Sequence, residues 1–115
     1  MIIRKEERTK RSKENLLDGP GTVYFEDIAD NSEMYDKTNM YSVITLKKDC
    51  GIGYHSHTDE EEVMLIIEGK ATYNDDGKEC EVSEGDVCIC KDGHYHSITN
   101  VSQKDVKVVA IKLKK

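Results

Sequence analysis

The sequence predicts an all-β protein of roughly seven to nine short strands, and three features carry that prediction. Segments rich in Val, Ile, Thr and Tyr recur along the chain, with apolar positions alternating at a period of two. Turn residues (Gly, Asn and Asp) separate those segments at short intervals. No stretch carries the longer apolar stripe that an amphipathic helix needs.

The elements follow in order. Residues 1–21 form a charged N-terminal segment that ends at Gly19-Pro20-Gly21, which contains the only proline. Its first fifteen residues hold six basic side chains against three acids, and mixed signs predict a solvated face or a short helix. Residues 22–28 read as a strand, 30–39 as a polar loop and 40–46 as an alternating strand. Residues 47–53 turn the chain through Asp49, Gly51 and Gly53. A strand over 62–68 ends at Gly69. Strands over 71–73 and 79–82 flank Asn74-Asp75-Asp76-Gly77, which is hairpin chemistry because these residues accept positive φ cheaply. Strands over 86–90, 94–99 and 105–113 complete a single domain spanning 22–115.

Composition narrows the function. The formal net charge of −6 argues against nucleic acid as the main partner, since phosphate binding needs clustered Lys and Arg. The longest apolar run, residues 63–67, is far too short to cross a membrane. No apolar leader follows Met1, and Cys50, Cys80, Cys88 and Cys90 lack a CxxC spacing, so a cytoplasmic location is expected. Cys88 and Cys90 are read as small core residues, with a soft-metal site as the alternative.

One constellation carries chemistry. His55 and His57 stand two apart, so in an extended segment both imidazoles share a face. Glu62 differs from His57 in parity, so residues 58–61 must turn or bulge to bring it alongside. His96 would arrive from a later strand. Three imidazoles and one carboxylate suit one divalent Mn, Fe, Co, Ni, Cu or Zn ion rather than Mg or Ca. Parity also places Met64 and Ile66 with Glu62, and Ile98 with His96, as candidate pocket residues. His94, Tyr41, Tyr54 and Tyr95 are further candidates, although a barrel tyrosine is commonly packing and His94 belongs beside a turn.

The spacing extends over two blocks, His55-x-His57-x4-Glu62-x6-Gly69 and Gly85-x5-Lys91-x-Gly93-x2-His96-x3-Asn100, with fifteen residues between Gly69 and Gly85. These blocks resemble the two motifs of the cupin superfamily, over about residues 40–113. The resemblance implies a double-stranded β-helix (jelly-roll) barrel in which His55, His57, Glu62 and His96 are the metal ligands. It also implies turns at Gly69, Gly85 and Gly93 and a structural Asn100. Asp49 stands where the first motif has Gly, which predicts a rearranged loop at the pocket mouth. Lys91 stands where the second has Pro, a change that would bring an ammonium near the site.

The family spans dioxygenases, decarboxylases, isomerases, sugar-binding modules and sensing domains. The resemblance therefore implies a metal-dependent enzyme acting on a small oxygen-rich substrate (carboxylate, enol or sugar), or a non-catalytic small-molecule-binding module. A titratable group in the pocket besides the four ligands would favour chemistry, and a purely apolar lining would favour binding. A DNA-associated regulator would need an ordered basic N-terminus. Small cupins commonly dimerise through an N-terminal strand, so a homodimer is expected, with residues 22–28 as the exchanged strand.

Overall fold

The computed structural model describes residues 1–115 as two antiparallel sheets facing each other. The strands are β1 (Thr9–Glu14), β2 (Thr22–Asp27), β3 (Thr38–Leu46), β4 (Gly51–Ser56) and β5 (Glu60–Glu68). They continue as β6 (Lys70–Asp75), β7 (Lys78–Ser83), β8 (Val87–Cys90), β9 (Tyr95–Thr99) and β10 (Val106–Lys114). The larger sheet has the order β1-β2-β3-β10-β5-β8 and the smaller β4-β9-β6-β7. Only short 3-10 turns interrupt them, at Lys5–Glu7, Leu16–Asp18 and Asn31–Met34.

Period-two patterning decides which face is covered. In β10, Val106, Val108 and Ala110 are fully buried while the alternate residues Lys107, Val109 and Ile111 are not. β10 pairs with β3 on one side and β5 on the other, so its inward row continues across both neighbours. One row runs Phe25, Ile44, Val108, Ile66, and the next runs Ser42, Ala110, Met64, Cys88. From the smaller sheet, Ile52, Ala71, Tyr73 and Ile98 close over these rows. Burying each large aliphatic side chain contributes about 1.5–3 kcal/mol, so the two rows fix the sheet spacing.

The hairpin expected at residues 74–77 joins β6 to β7. Asp76 and Gly77 both have positive φ (52° and 101°), as a two-residue primed turn requires, and the Gly77 amide donates to Asn74 Oδ1 at 2.7 Å.

Three expectations are corrected. The charged N-terminal segment, expected to be a solvated face or a short helix, is a largely exposed strand: β1 pairs in register with β2, from Thr9 with Asp27 to Glu14 with Thr22. Residues 22–28, expected to reach a partner's sheet, are held on both sides within their own chain, by β1 and β3. The open edges of the larger sheet are β1 and β8. Lys91 sends its ammonium to Glu61 at 3.1 Å on the exposed surface, not toward the barrel interior.

Candidate metal centre

Three strands, β4, β5 and β9, converge at one end of the barrel. His55 lies on β4 opposite His96 on β9, which sets their ring centroids 4.7 Å apart. His57 follows the end of β4. Its amide donates to the His94 carbonyl at 3.3 Å, and its own carbonyl accepts from the Gly93 amide at 2.7 Å. Asp59 then adopts φ +59°, and this left-handed step reverses the strand parity so that Glu62 on β5 faces the same interior as His57.

The ligand atoms of His55, His57, Glu62 and His96 fall within 4.8 Å of one another. His57 Nε2 lies 3.1 Å from Glu62 Oε1 and 2.9 Å from His96 Nε2, and His96 Nε2 lies 3.1 Å from the same oxygen. Two ligands at right angles around an ion about 2.1 Å away stand about 3.0 Å apart. His57, Glu62 and His96 are 2%, 3% and 1% exposed, whereas His55 is half-buried and forms the open side.

Each imidazole is turned so that Nε2 points inward, because its Nδ1 is engaged elsewhere. Gly53 offers its carbonyl to His55 Nδ1 at 2.7 Å, Glu60 its carboxylate to His57 Nδ1 at 2.5 Å, and Tyr73 its hydroxyl to His96 Nδ1 at 2.8 Å. Partners of this kind fix the tautomer and raise the ligand's basicity. Three inward lone pairs and a carboxylate oxygen therefore share one point with no cationic side chain between them. This donor set fits a divalent transition metal.

Electrostatics mark the same point as one that attracts positive charge, whether a proton on the imidazole Nε2 atoms, which can then donate to Glu62, or a metal ion in its place. Burial would raise the Glu62 carboxyl, but hydrogen bonds from His57 and His96 and the charge of Lys112 hold it at about 2. The bond to Glu62 raises His57 despite its burial, whereas desolvation lowers His55. Cys88 and Cys90 are buried, and desolvation pushes both thiols to about 11. They are neutral core residues rather than soft-metal ligands.

A cavity of about 240 Å³ opens on the centre. His55 and Glu62 line it together with Arg11, Lys13, Lys112 and Asn39, and its remaining wall is apolar: Leu16, Leu17, Phe25, Met40, Ile44 and Ile52. A larger groove of about 600 Å³ lies along the N-terminal segment and contains none of the four candidate ligands. Size therefore does not mark the chemistry here.

The structure distributes the other candidates unequally. Met64, Ile66 and Ile98 are buried core residues on the inward rows. Tyr41 lines the larger groove instead of the cavity at the centre. Tyr54 and Tyr95 stack on each other on the outer surface, with centroids 5.3 Å apart. His94 is exposed and bonds Asp76 at 3.1 Å, although its carbonyl helps to fix His57.

Sequence reasoning missed Glu60, Tyr73, Arg11 and Lys13. Glu60 is three residues after His57, but an acidic run obscures it. Tyr73 has the inward parity of Ala71, which was the available signal. Arg11 and Lys13 share parity on a strand whose charges read as solvated.

Comparison with known proteins supports the architecture. The model of the cupin domain matches residues 42–112. An oxalate-binding protein of Thermotoga maritima is 29% identical over 111 residues, covering 96% of this chain and 92% of that one. The crystal structure of a predicted oxalate decarboxylase from Thermotoga maritima superposes with a TM-score of 0.95 at 28% identity, over 100% of both chains. The cupin domain of Schizosaccharomyces pombe Cnp3 shares the fold alone, with a TM-score of 0.74 at 12% identity over 91% of this chain and 69% of that one.

Proposed function

We propose, from the premise that this chain belongs to the cupin domain family, that it holds one divalent transition metal with His55, His57, Glu62 and His96 and uses it to bind a small carboxylate ligand. The observation that carries this reading is the cavity lining: three basic side chains and one carboxylate surround the open side of the centre in a protein of formal net charge −6. A basic lining in an acidic chain selects anions by local field. The oxalate-binding name of the Thermotoga maritima relative supports the same ligand class.

When bound, the metal would supply Lewis acidity toward a ligand oxygen. The chain's own residues do the rest. Glu60, Tyr73 and the Gly53 carbonyl hold the three imidazoles in the ligating tautomer, and the apolar wall limits water. Lys112 pairs with Glu62 across β10 and β5 on the inward face. It is the titratable group nearest Glu62 in strand register, and it favours catalysis over passive binding, because an ammonium there can stabilise negative charge developing on the ligand. The four free cysteines suit a reducing cytoplasm. A homodimer fits the outer face of β5 and β8, where Leu65, Ile67, Val87 and Ile89 are 39–55% exposed on paired strands.

The test is elemental analysis of the purified protein, followed by calorimetric titration with small carboxylates. One equivalent of metal is expected in the native chain, with sharply less in His57→Ala while the β circular-dichroism signature persists. Full stoichiometric metal in His57→Ala would refute the ligand set.

A further inference from the structure

We propose that Arg11 and Lys13, on the N-terminal strand, bind the far end of a dianionic ligand, so that the preferred ligand is a dicarboxylate with a methylene spacer. This rests on the reading of the metal centre above and adds what lies across the cavity from it.

Strand register sets which way both side chains face. Arg11 pairs with Phe25, and Phe25 with Ile44, so Arg11 belongs to the inward row of the larger sheet. Lys13 sits two residues on and shares that face. Arg11 is partly buried and Lys13 remains exposed to solvent at the cavity rim, so only Arg11 requires a partner within the fold. Arg11 has one: its Nε donates to Asp27 Oδ2 at 2.9 Å and its Nη2 to Asp27 Oδ1 at 3.2 Å. Asp27 also accepts from Ser42 Oγ, and the guanidinium lies 4.1 Å over the Phe25 ring. Those contacts fix the fork in one orientation and use two of its five donors. Lys13 makes no ion pair, and neither does Lys112 beside Glu62.

Strand order gives the cavity two polar ends: Glu62, Lys112 and His55 come from β5, β10 and β4, whereas Arg11 and Lys13 come from β1, separated from β10 by β2 and β3. Between them the same inward face presents Phe25, Ile44 and Met40. A monocarboxylate satisfies one end only. Oxalate, whose carboxylates are directly joined, has no carbon to set against the apolar middle. Malonate, succinate and glutarate have both features, and the 240 Å³ volume restricts the ligand to small molecules.

Cobalt-loaded protein provides the test, because visible d–d bands report an oxygen ligand at the centre independently of affinity. Acetate, oxalate, malonate, succinate and glutarate are titrated by calorimetry and by spectrum. The expected result is that a spacer-containing dicarboxylate binds at least tenfold more tightly than acetate and more tightly than oxalate. In Arg11→Gln and Lys13→Gln that advantage should shrink by about tenfold or more, the typical effect of losing a charged hydrogen bond, while the acetate-induced spectral change persists. Arg11→Lys should recover only part of it, since an ammonium lacks the planar fork.

Equal affinity for acetate and the dicarboxylates, or tightest binding of oxalate, overturns the proposal while leaving the metal centre standing. An absence of cobalt bands overturns the centre and the proposal together. Lys13 is on an exposed edge strand, so Lys13→Gln keeps the test decisive if Arg11→Gln fails to fold.

Discussion

The Nε2 atoms of His57 and His96 lie 2.9 Å apart, although the Nδ1 of each ring is already engaged, by Glu60 and by Tyr73. Two nitrogen lone pairs at that separation repel unless a proton or a metal ion stands between or beside them. Glu62 Oε1, 3.1 Å from both, adds a negative charge to the same point. The polypeptide has therefore assembled electron-pair donors around a position that only a cation can fill favourably.

The first prediction concerns the partners behind the ligands. Tyr73→Phe removes the hydroxyl from His96 Nδ1, and Glu60→Gln removes the charge behind His57. Each should weaken metal affinity by about 10- to 100-fold, the usual effect of losing an outer partner. Competition with a chromophoric chelator measures this directly. Undiminished affinity in both variants would mean that tautomer control is unimportant here.

A second prediction links metal to stability. An ion that binds only the folded state stabilises it by about 2.7 kcal/mol at a free concentration one hundred times Kd. For a chain of 115 residues, that corresponds to a rise of several degrees in Tm, reversed by a chelator. Glu62→Gln should lose most of the rise. Scanning calorimetry with and without the metal is the measurement.

Much of the fold and centre was legible because period-two patterning is a local signal. The pairing of His55 with His57, the parity step before Glu62 and the hairpin at Asn74-Asp75-Asp76-Gly77 all follow from spacing. β1 was not legible, since Lys10, Arg11 and Lys13 look like a solvated face whether the segment is coil, helix or edge strand. Only pairing with β2 reveals that Arg11 and Lys13 share the inward face. Tyr41 and Tyr54 show the opposite failure, whereas His94 is exposed beside its turn as expected. Polar residues near the motifs were plausible pocket groups, yet where each lies depends on pleat direction and bulges, including the irregularity between Ile52 and His55. Short-range sequence does not encode that.

The third prediction is a pH dependence centred on Asp27. Partial burial raises its carboxyl, but the hydrogen bonds from Arg11 and Ser42 outweigh this and hold it below the ordinary carboxylate value of 3.8. The folded state therefore binds that proton less readily than the unfolded chain. The contribution is fully present above the unfolded value and is lost as pH falls through the lower folded value. Asp27→Asn should consequently cost stability at pH 7 and much less near pH 2. Urea midpoints at the two pH values decide it, and an equal cost at both would assign the effect to packing alone.

The fourth prediction tests how the N-terminal strap supports His55. A Cβ at Gly53 would collide with the Leu17 carbonyl and approach the Gly19 amide, because residues 15–19 press directly on β4. The same Gly53 supplies the carbonyl that orients His55. Gly53→Ala must push the strap and the strand apart, at about 1–3 kcal/mol for forced overpacking. Since the carbonyl moves with them, metal affinity should fall along with the urea midpoint. Gly77→Ala is the control. A Cβ there meets nothing within 4 Å, but its φ of +101° strains any side chain, so stability should drop while metal affinity holds. If both variants lost affinity in proportion to stability, the strap would have no specific hold on His55. A loss confined to Gly53→Ala ties the N-terminal segment to the metal centre through one peptide carbonyl.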